Sequence, residues 1–280
     1  MFDKPRSFFG KSMVKGISDK TSVYILTGQS NSLGTTCLEG SDYYPPESAF
    51  DRKVRFFWSN VDESSTGHPP KLYGSSEGKF SPLQMQQGGR ENPHFWGPEF
   101  GFARSICEAD MHRLVIIKAS RGGGGNSYWH KQAYLEDAGR GHMWGHLCAT
   151  LDQSLSSLHN NCENFLIRGL LYIQGESNSS SEAMIADTRL GELIDDLTVW
   201  LEQKYPKCTS GMRTVVGEIA ASKSSHERIQ TTRLQAALAE VRSDLKFVFT
   251  NDLDLKTDAL HFGRDAKLEI GRRMAVAMQA

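Results

Sequence analysis

Nowhere in the 280 residues does an apolar run approach the roughly 20 positions needed to span a bilayer. Net charge is nearly absent: 32 Lys and Arg stand against 33 Asp and Glu, a formal -1. That balance carries no electrostatic footprint for nucleic acid or an anionic membrane surface, so neither is expected as a partner. Cysteine is sparse. The five residues Cys37, Cys107, Cys148, Cys162 and Cys208 are scattered, odd in number and free of any Cys-x-x-Cys spacing. This excludes a zinc knuckle or redox pair and leaves buried free thiols. The opening segment lacks the apolar stretch of a secretory signal, which argues for the cytoplasm. Gly122–Gly125 lacks the Gly-Lys-Ser/Thr ending of a phosphate-binding loop, so nucleotide binding is discounted. His142, His146 and Cys148 have ligand-like spacing. They come without the Glu of His-Glu-x-x-His and without a third ligand, so they read as structural. No metal and no cofactor is expected.

What is present is a regular alternation. Val23–Thr27, Val54–Trp58, Leu114–Lys118, Leu166–Ile173, Thr214–Ile219 and Phe247–Thr250 are continuous apolar runs, as in strands covered on both faces. Helical patterns lie between them: Pro98 to about Asp110, about Trp144–Leu158, Ser181–Lys204, Ser225–Asp244 and Arg264–Met278. The order predicts an α/β chain, one three-layer α/β/α domain over 1–280 with a mostly parallel sheet. Ser59–Phe95 breaks the rhythm. It is polar, rich in Gly, Ser and Pro, and reads as a long loop over one rim.

Open α/β sheets bind ligands outside the carboxyl ends of their strands. Four of the predicted strands end in polar turns: Gly28-Gln29-Ser30-Asn31; Ala119 to Trp129; Gln174-Gly175-Glu176-Ser177-Asn178; and Asn251 to Gly263, which carries Asp258 and His261. A serine hydroxyl is a poor nucleophile unless a base lies within reach and a partner orients the base. Asp258 and His261, three apart, can supply both, with the carboxylate on Nδ1 and Nε2 left to face Ser30. A tetrahedral oxyanion needs donors in place. The Ser30 N–H, a glycine of Gly122–Gly125 and the Gln174 amide are the candidates.

These blocks resemble those of the SGNH (GDSL-like) hydrolases, in particular the sialate O-acetylesterase and acetylxylan esterase branch. The similarity rests on Gly28-Gln29-Ser30-Asn31, the glycine-rich turn before Trp129, Gln174-Gly175-Glu176-Ser177 and Asp258-x-x-His261. Trp96–Ala103, Arg233-Leu234-Gln235 and His261–Ala275 add to it. The resemblance implies an α/β/α sandwich with a five-stranded parallel core and metal-free release of acetate from acetylated sugars. It makes Ser30 the nucleophile, His261 the base and Asp258 its orienter. Gly124 or Gly125 becomes an oxyanion donor beside Ser30, and Gln174 takes the place of an oxyanion-hole asparagine. Gln29 and Glu176 support the site from behind.

Sugar rings stack on aromatic faces, and Trp58, Phe95, Trp96, Tyr128 and Trp129 lie near the predicted rim. Tyr128 and Trp129, with Asn126, are the expected sugar contacts. Lys118 and Arg121 also follow a strand; Arg121 is a candidate contact for an anionic sugar, but a surface position is the simpler reading. The expected partner is an acetylated carbohydrate. The competing readings are a catalytically silent carbohydrate-binding domain on the same fold and an esterase for other short acyl esters.

Overall fold

The computed structural model describes residues 20–35, 44–88, 94–109 and 113–280. Its strands are β1 (Thr21–Gly28), β2 (Val54–Val61), β3 (Leu72–Ser75), β4 (Ser81–Pro82), β5 (Gln86–Gln87), β6 (His94–Phe95), β7 (Leu114–Ser120), β8 (Phe165–Ile173), β9 (Arg213–Gly217) and β10 (Leu245–Val248). Its helices are α1 (Ser30–Leu33), α2 (Glu99–Ala109), α3 (Lys131–Glu136), α4 (His142–Asn160), α5 (Ser180–Ala183), α6 (Ala186–Lys204), α7 (His226–Val241) and α8 (Arg264–Gln279). All six apolar runs became strands. Among the described residues, no helix is long and apolar enough to cross a membrane.

The main sheet runs β10-β9-β8-β1-β7-β2-β3, with β4 also on β2. Its parallel part has six strands, not the five implied by the resemblance, because Leu245–Val248 pairs in parallel with β9. The chain winds outward from β1 to β2 and β7 on one side, then to β8, β9 and β10 on the other. That reversal opens a crevice at the carboxyl end of β1. Buried side chains of α4 and α6 cover one face with Val23, Ile25, Ile117 and Leu170. Those of α2 and α8 cover the other with Tyr24, Leu26, Ile116 and Leu171. Three layers result because every central strand presents apolar residues both ways.

Two expectations need correction. Ser59–Phe95 is not structureless: β2 continues to Val61, and β3 and β4 fold back antiparallel along its outer edge. Polar strands serve there because an outermost strand faces water and still satisfies the backbone of its neighbour. Ser181–Lys204 is two helices rather than one. Met184 and Ile185 sit exposed at the break and outside the buried stripe. Cys37 and Asp110 lie outside the described residues.

Candidate active site

The turn that carries Ser30 begins with a glycine whose conformation and surroundings leave no room for a side chain. Gly28 ends β1 at φ +137°, and a Cβ there would sit 2.0 Å from the Ile173 carbonyl oxygen. L side chains rarely adopt that conformation. The chain then turns into the single helical turn α1, whose first residue is Ser30. First-turn N–H groups have no partner within their own helix. Among the described residues the Ser30 N–H donates to no protein acceptor, nor does its hydroxyl make a side-chain hydrogen bond.

Asp258 and His261 form the expected pair, but in a turn rather than a helix. Asp258 Oδ1 accepts from the N–H groups of Leu260 and His261, and Ala259 takes the left-handed conformation between them. Asp258 Oδ2 lies 2.8 Å from His261 Nδ1. Burial pushes the Asp258 carboxyl up, but the hydrogen bonds from His261 and Leu260 outweigh it and hold it down at about 2. An ionised carboxylate only accepts, so Nδ1 of the ring donates to Asp258 and Nε2 is turned away from it.

One side chain joins the two turns. Asn31, next to Ser30, donates through Nδ2 to the Leu260 carbonyl (3.2 Å) and accepts at Oδ1 from the Phe262 N–H (3.1 Å). It thus grips the residues on both sides of His261. Its Nδ2 also donates to Glu176 Oε1 at 2.7 Å. Glu176 accepts the Ala220 N–H as well. Burial raises the Glu176 carboxyl, opposed by the hydrogen bonds from Asn31 and from backbone N–H groups. Glu176 therefore braces the serine turn, as the resemblance implies. Gln29 Oε1 accepts from the N–H groups of Gly175 and Ser177, and its Nε2 donates to Ser177 Oγ. The turns after β1 and β8 are locked together.

The glycine-rich turn is held from the same side. Asn178 Oδ1 accepts from the Asn126 N–H, and Glu182 accepts from Ser127 through both its N–H and Oγ. Burial pushes the Glu182 carboxyl up, but the Ser127 and Ser179 bonds dominate and lower it. A Cβ on Gly125 would strike the Glu182 carboxylate at 2.1 Å. Among the described residues the N–H groups of Gly124 and Gly125 have no protein acceptor.

Several sequence expectations fail here. Gln174 is not a free oxyanion donor. It is 0% exposed, and its amide donates to the Gly124 carbonyl and to Asn178 Oδ1. With both protons engaged it is a buried tie between turns. Trp129 does not stack on sugar. It is 1% exposed, packs edge-on to Tyr172 and donates through Nε1 to Thr27 Oγ1. Trp58, Phe95 and Trp96 are buried too, the usual outcome for large apolar rings. Asn126 is buried with its amide on the Glu182 carbonyl, and half-buried Tyr128 lies under the Arg121 guanidinium.

Arg121 is buried rather than at the surface, and Lys118 is buried too. Arg121 donates to the carbonyls of Gly123, Glu63 and Ser65, which pins the glycine turn to the rim loop. Lys118 is 0% exposed and donates to Leu33 O, Gln86 Oε1 and Glu99 Oε2 at 2.8–2.9 Å. Burial lowers its ammonium, opposed by Glu99. It thus caps the last carbonyl of the helix that Ser30 begins. His142 Nδ1 and His146 Nε2 face the carbonyls of Gly139 and Ser59, and burial holds both rings below the usual histidine range. Burial pushes the Cys148 thiol up to about 12. Sequence reasoning missed the roles of Asn31, Asn178, Glu182 and Lys118. The lone charge in Leu-Val-Ile-Ile-Lys was the one available signal.

A doubly wound sheet gathers a serine turn, an Asp–His pair and a glycine turn at one carboxyl edge, an arrangement compatible with a hydrolase. A family model described as carbohydrate esterase, sialic acid-specific acetylesterase, matches residues 20–280. The chain belongs to that family, and so to the carboxylic ester hydrolases. It is similar to three solved structures. An Arabidopsis thaliana protein is 17% identical, with TM-score 0.64 over 92% of this chain and 97% of its own. NanS is 13% identical, with TM-score 0.61 over 93% and 97%. The Xanthomonas citri carbohydrate acetylesterase XAC1771 is 15% identical, with TM-score 0.62 over 92% of this chain but 55% of its own. No curated protein sequence matches the chain.

Proposed function

We propose that the protein is a serine esterase that removes O-acetyl groups from a carbohydrate, with Ser30 as nucleophile, His261 as base and Asp258 as orienter. The observation that carries this reading is the Asn31 bridge, which sets the serine turn against the histidine turn. His261 Nε2 takes the hydroxyl proton as Ser30 Oγ attacks the acetyl carbonyl. The developing oxyanion is met by the Ser30 N–H and that of Gly124 or Gly125, worth about 3 kcal/mol per donor. The imidazolium, stabilised by Asp258, returns the proton to the leaving sugar oxygen. Water then repeats the cycle on the acetyl-serine and releases acetate. Catalytic hydrogen bonds are often long before substrate binds, so the unpartnered Ser30 hydroxyl is compatible with this role.

A polar cavity of about 560 Å³ lies beside Glu176, lined among others by Asn178, Ser180, Ser225, Glu227 and Arg228. Hydroxyl-rich walls of this kind suit a polyol better than an acyl chain, and they favour the sugar reading over a general short-chain esterase. The family makes an O-acetylated sialate the first substrate to assay and acetylated xylan the second. Acetate release from each is measured with wild type and Ser30→Ala. Wild type should release acetate from at least one sugar, and Ser30→Ala should fold normally and release almost none. Undiminished turnover by Ser30→Ala removes the proposed nucleophile, and activity on p-nitrophenyl acetate alone favours the short-chain reading.

A further inference from the structure

Strand β8 reads Phe-Leu-Ile-Arg-Gly-Leu-Leu-Tyr-Ile, and Arg168 is its one charge. A cation inside a central strand is costly unless something there uses it. The register shows how it is accommodated. Val23 of β1 pairs with Ile167, but the next residue, Tyr24, pairs with Gly169. Arg168 is the extra residue of a β-bulge, a device that re-aims a side chain. It lines a cavity of about 350 Å³ at the amino-terminal edge of the sheet, together with Arg113, Arg213, Ser22 and Gln279. Ser30 lies at the far end of β1 from Ser22. At about 3.3 Å per residue that is roughly 20 Å away, so this cavity is separate from the esterase site.

Three arginines share this one cavity, which gathers positive charge at its wall. Arg104, Arg242 and Arg273 each have a carboxylate within ion-pair distance. Among the described residues, Arg113, Arg168 and Arg213 have none. The end of α8 engages Arg213, which donates to the Met278 carbonyl at 3.4 Å. That bond leaves Arg113 and Arg168 without a carboxylate partner among the described residues. We propose that this cavity binds a small molecule through a phosphate group held by Arg113, Arg168 and Arg213. Guanidinium forks match phosphate oxygens two at a time. Ser22 and Gln279 add neutral polar groups at the wall, and the volume leaves room for more than the phosphate itself.

Inorganic pyrophosphate is the probe. It is titrated calorimetrically into the full chain, and into Arg168→Gln and Arg113→Gln, at an ionic strength fixed with chloride. Wild type should bind at one site. Each variant should bind about 10- to 100-fold more weakly, the loss expected for a charge-assisted hydrogen bond. Hydrolysis of p-nitrophenyl acetate should be unchanged in both. Arg113 is exposed, so its variant decides the matter even where Arg168→Gln folds poorly. Equal binding by wild type and variants, or no heat beyond the chloride control, overturns the site. Citrate binding as tightly as pyrophosphate overturns the phosphate assignment.

Discussion

Replacing Lys118 with Met tests how the serine turn is held. The ammonium is fully buried, and its three protons go to Leu33 O, Gln86 Oε1 and Glu99 Oε2. Met fills similar space but leaves Glu99 buried as an uncompensated anion, with the Gly97 N–H and Gln86 Nε2 as its remaining donors among the described residues. Breaking a buried pair from one side costs about 3–5 kcal/mol. For a chain of this size, that is a fall in Tm of roughly 10 °C. The double variant Lys118→Met with Glu99→Gln removes the stranded charge and keeps an acceptor for the Gly97 N–H. It should regain at least half of the lost stability. Activity should not return with it, because the Leu33 carbonyl at the end of α1 stays uncapped and Ser30 loses its seat. A misplacement near 1 Å can cost about a hundredfold in rate. Urea titration and p-nitrophenyl acetate hydrolysis measure the two effects separately. A single variant within about 1 kcal/mol of wild type, or a double variant no more stable than the single, refutes the reasoning.

Asn31→Ala should lower kcat by about a hundredfold with little change in KM, since it unties the histidine turn without touching substrate. Steady-state kinetics on p-nitrophenyl acetate check this. Asp258, held down at about 2, should contribute stability that is fully present above its unfolded pKa of about 3.9 and is lost as pH falls through about 2. The stability difference between wild type and Asp258→Asn, followed by denaturant titration, should then be flat from about pH 5 upward and vanish near pH 2. Trp129→Phe should lower stability by about 1 kcal/mol through the lost bond to Thr27 and leave KM for an acetylated sugar unchanged; a raised KM would return Trp129 to the sugar site.

Much of this architecture was legible because it depends on local chemistry. Continuous apolar runs such as Leu114–Lys118 cannot sit at a surface, and the polar turns that follow them must gather at one edge. The pairing of Asp258 with His261 was readable because the two stand three residues apart in one turn. What escaped depends on partners distant in sequence. Whether the Gln174 amide is free is decided by Gly124 and Asn178, and whether Trp129 meets sugar is decided by Thr27 and Tyr172. The role of Lys118 was hidden because Gln86 and Glu99, its partners, come from other elements. The rim loop was underestimated because strands β3 and β4 are polar, and their pairing is imposed by the open edge of β2.

The bridge from Asn31 to Phe262 joins residues 231 positions apart. During synthesis the serine leaves the ribosome long before its histidine exists. Strand β1 must wait for β8 on one flank and β7 on the other, and the histidine turn docks only after the sixth parallel strand has been made. A nascent or truncated chain therefore cannot set the serine turn against the histidine turn, however well its first half is folded.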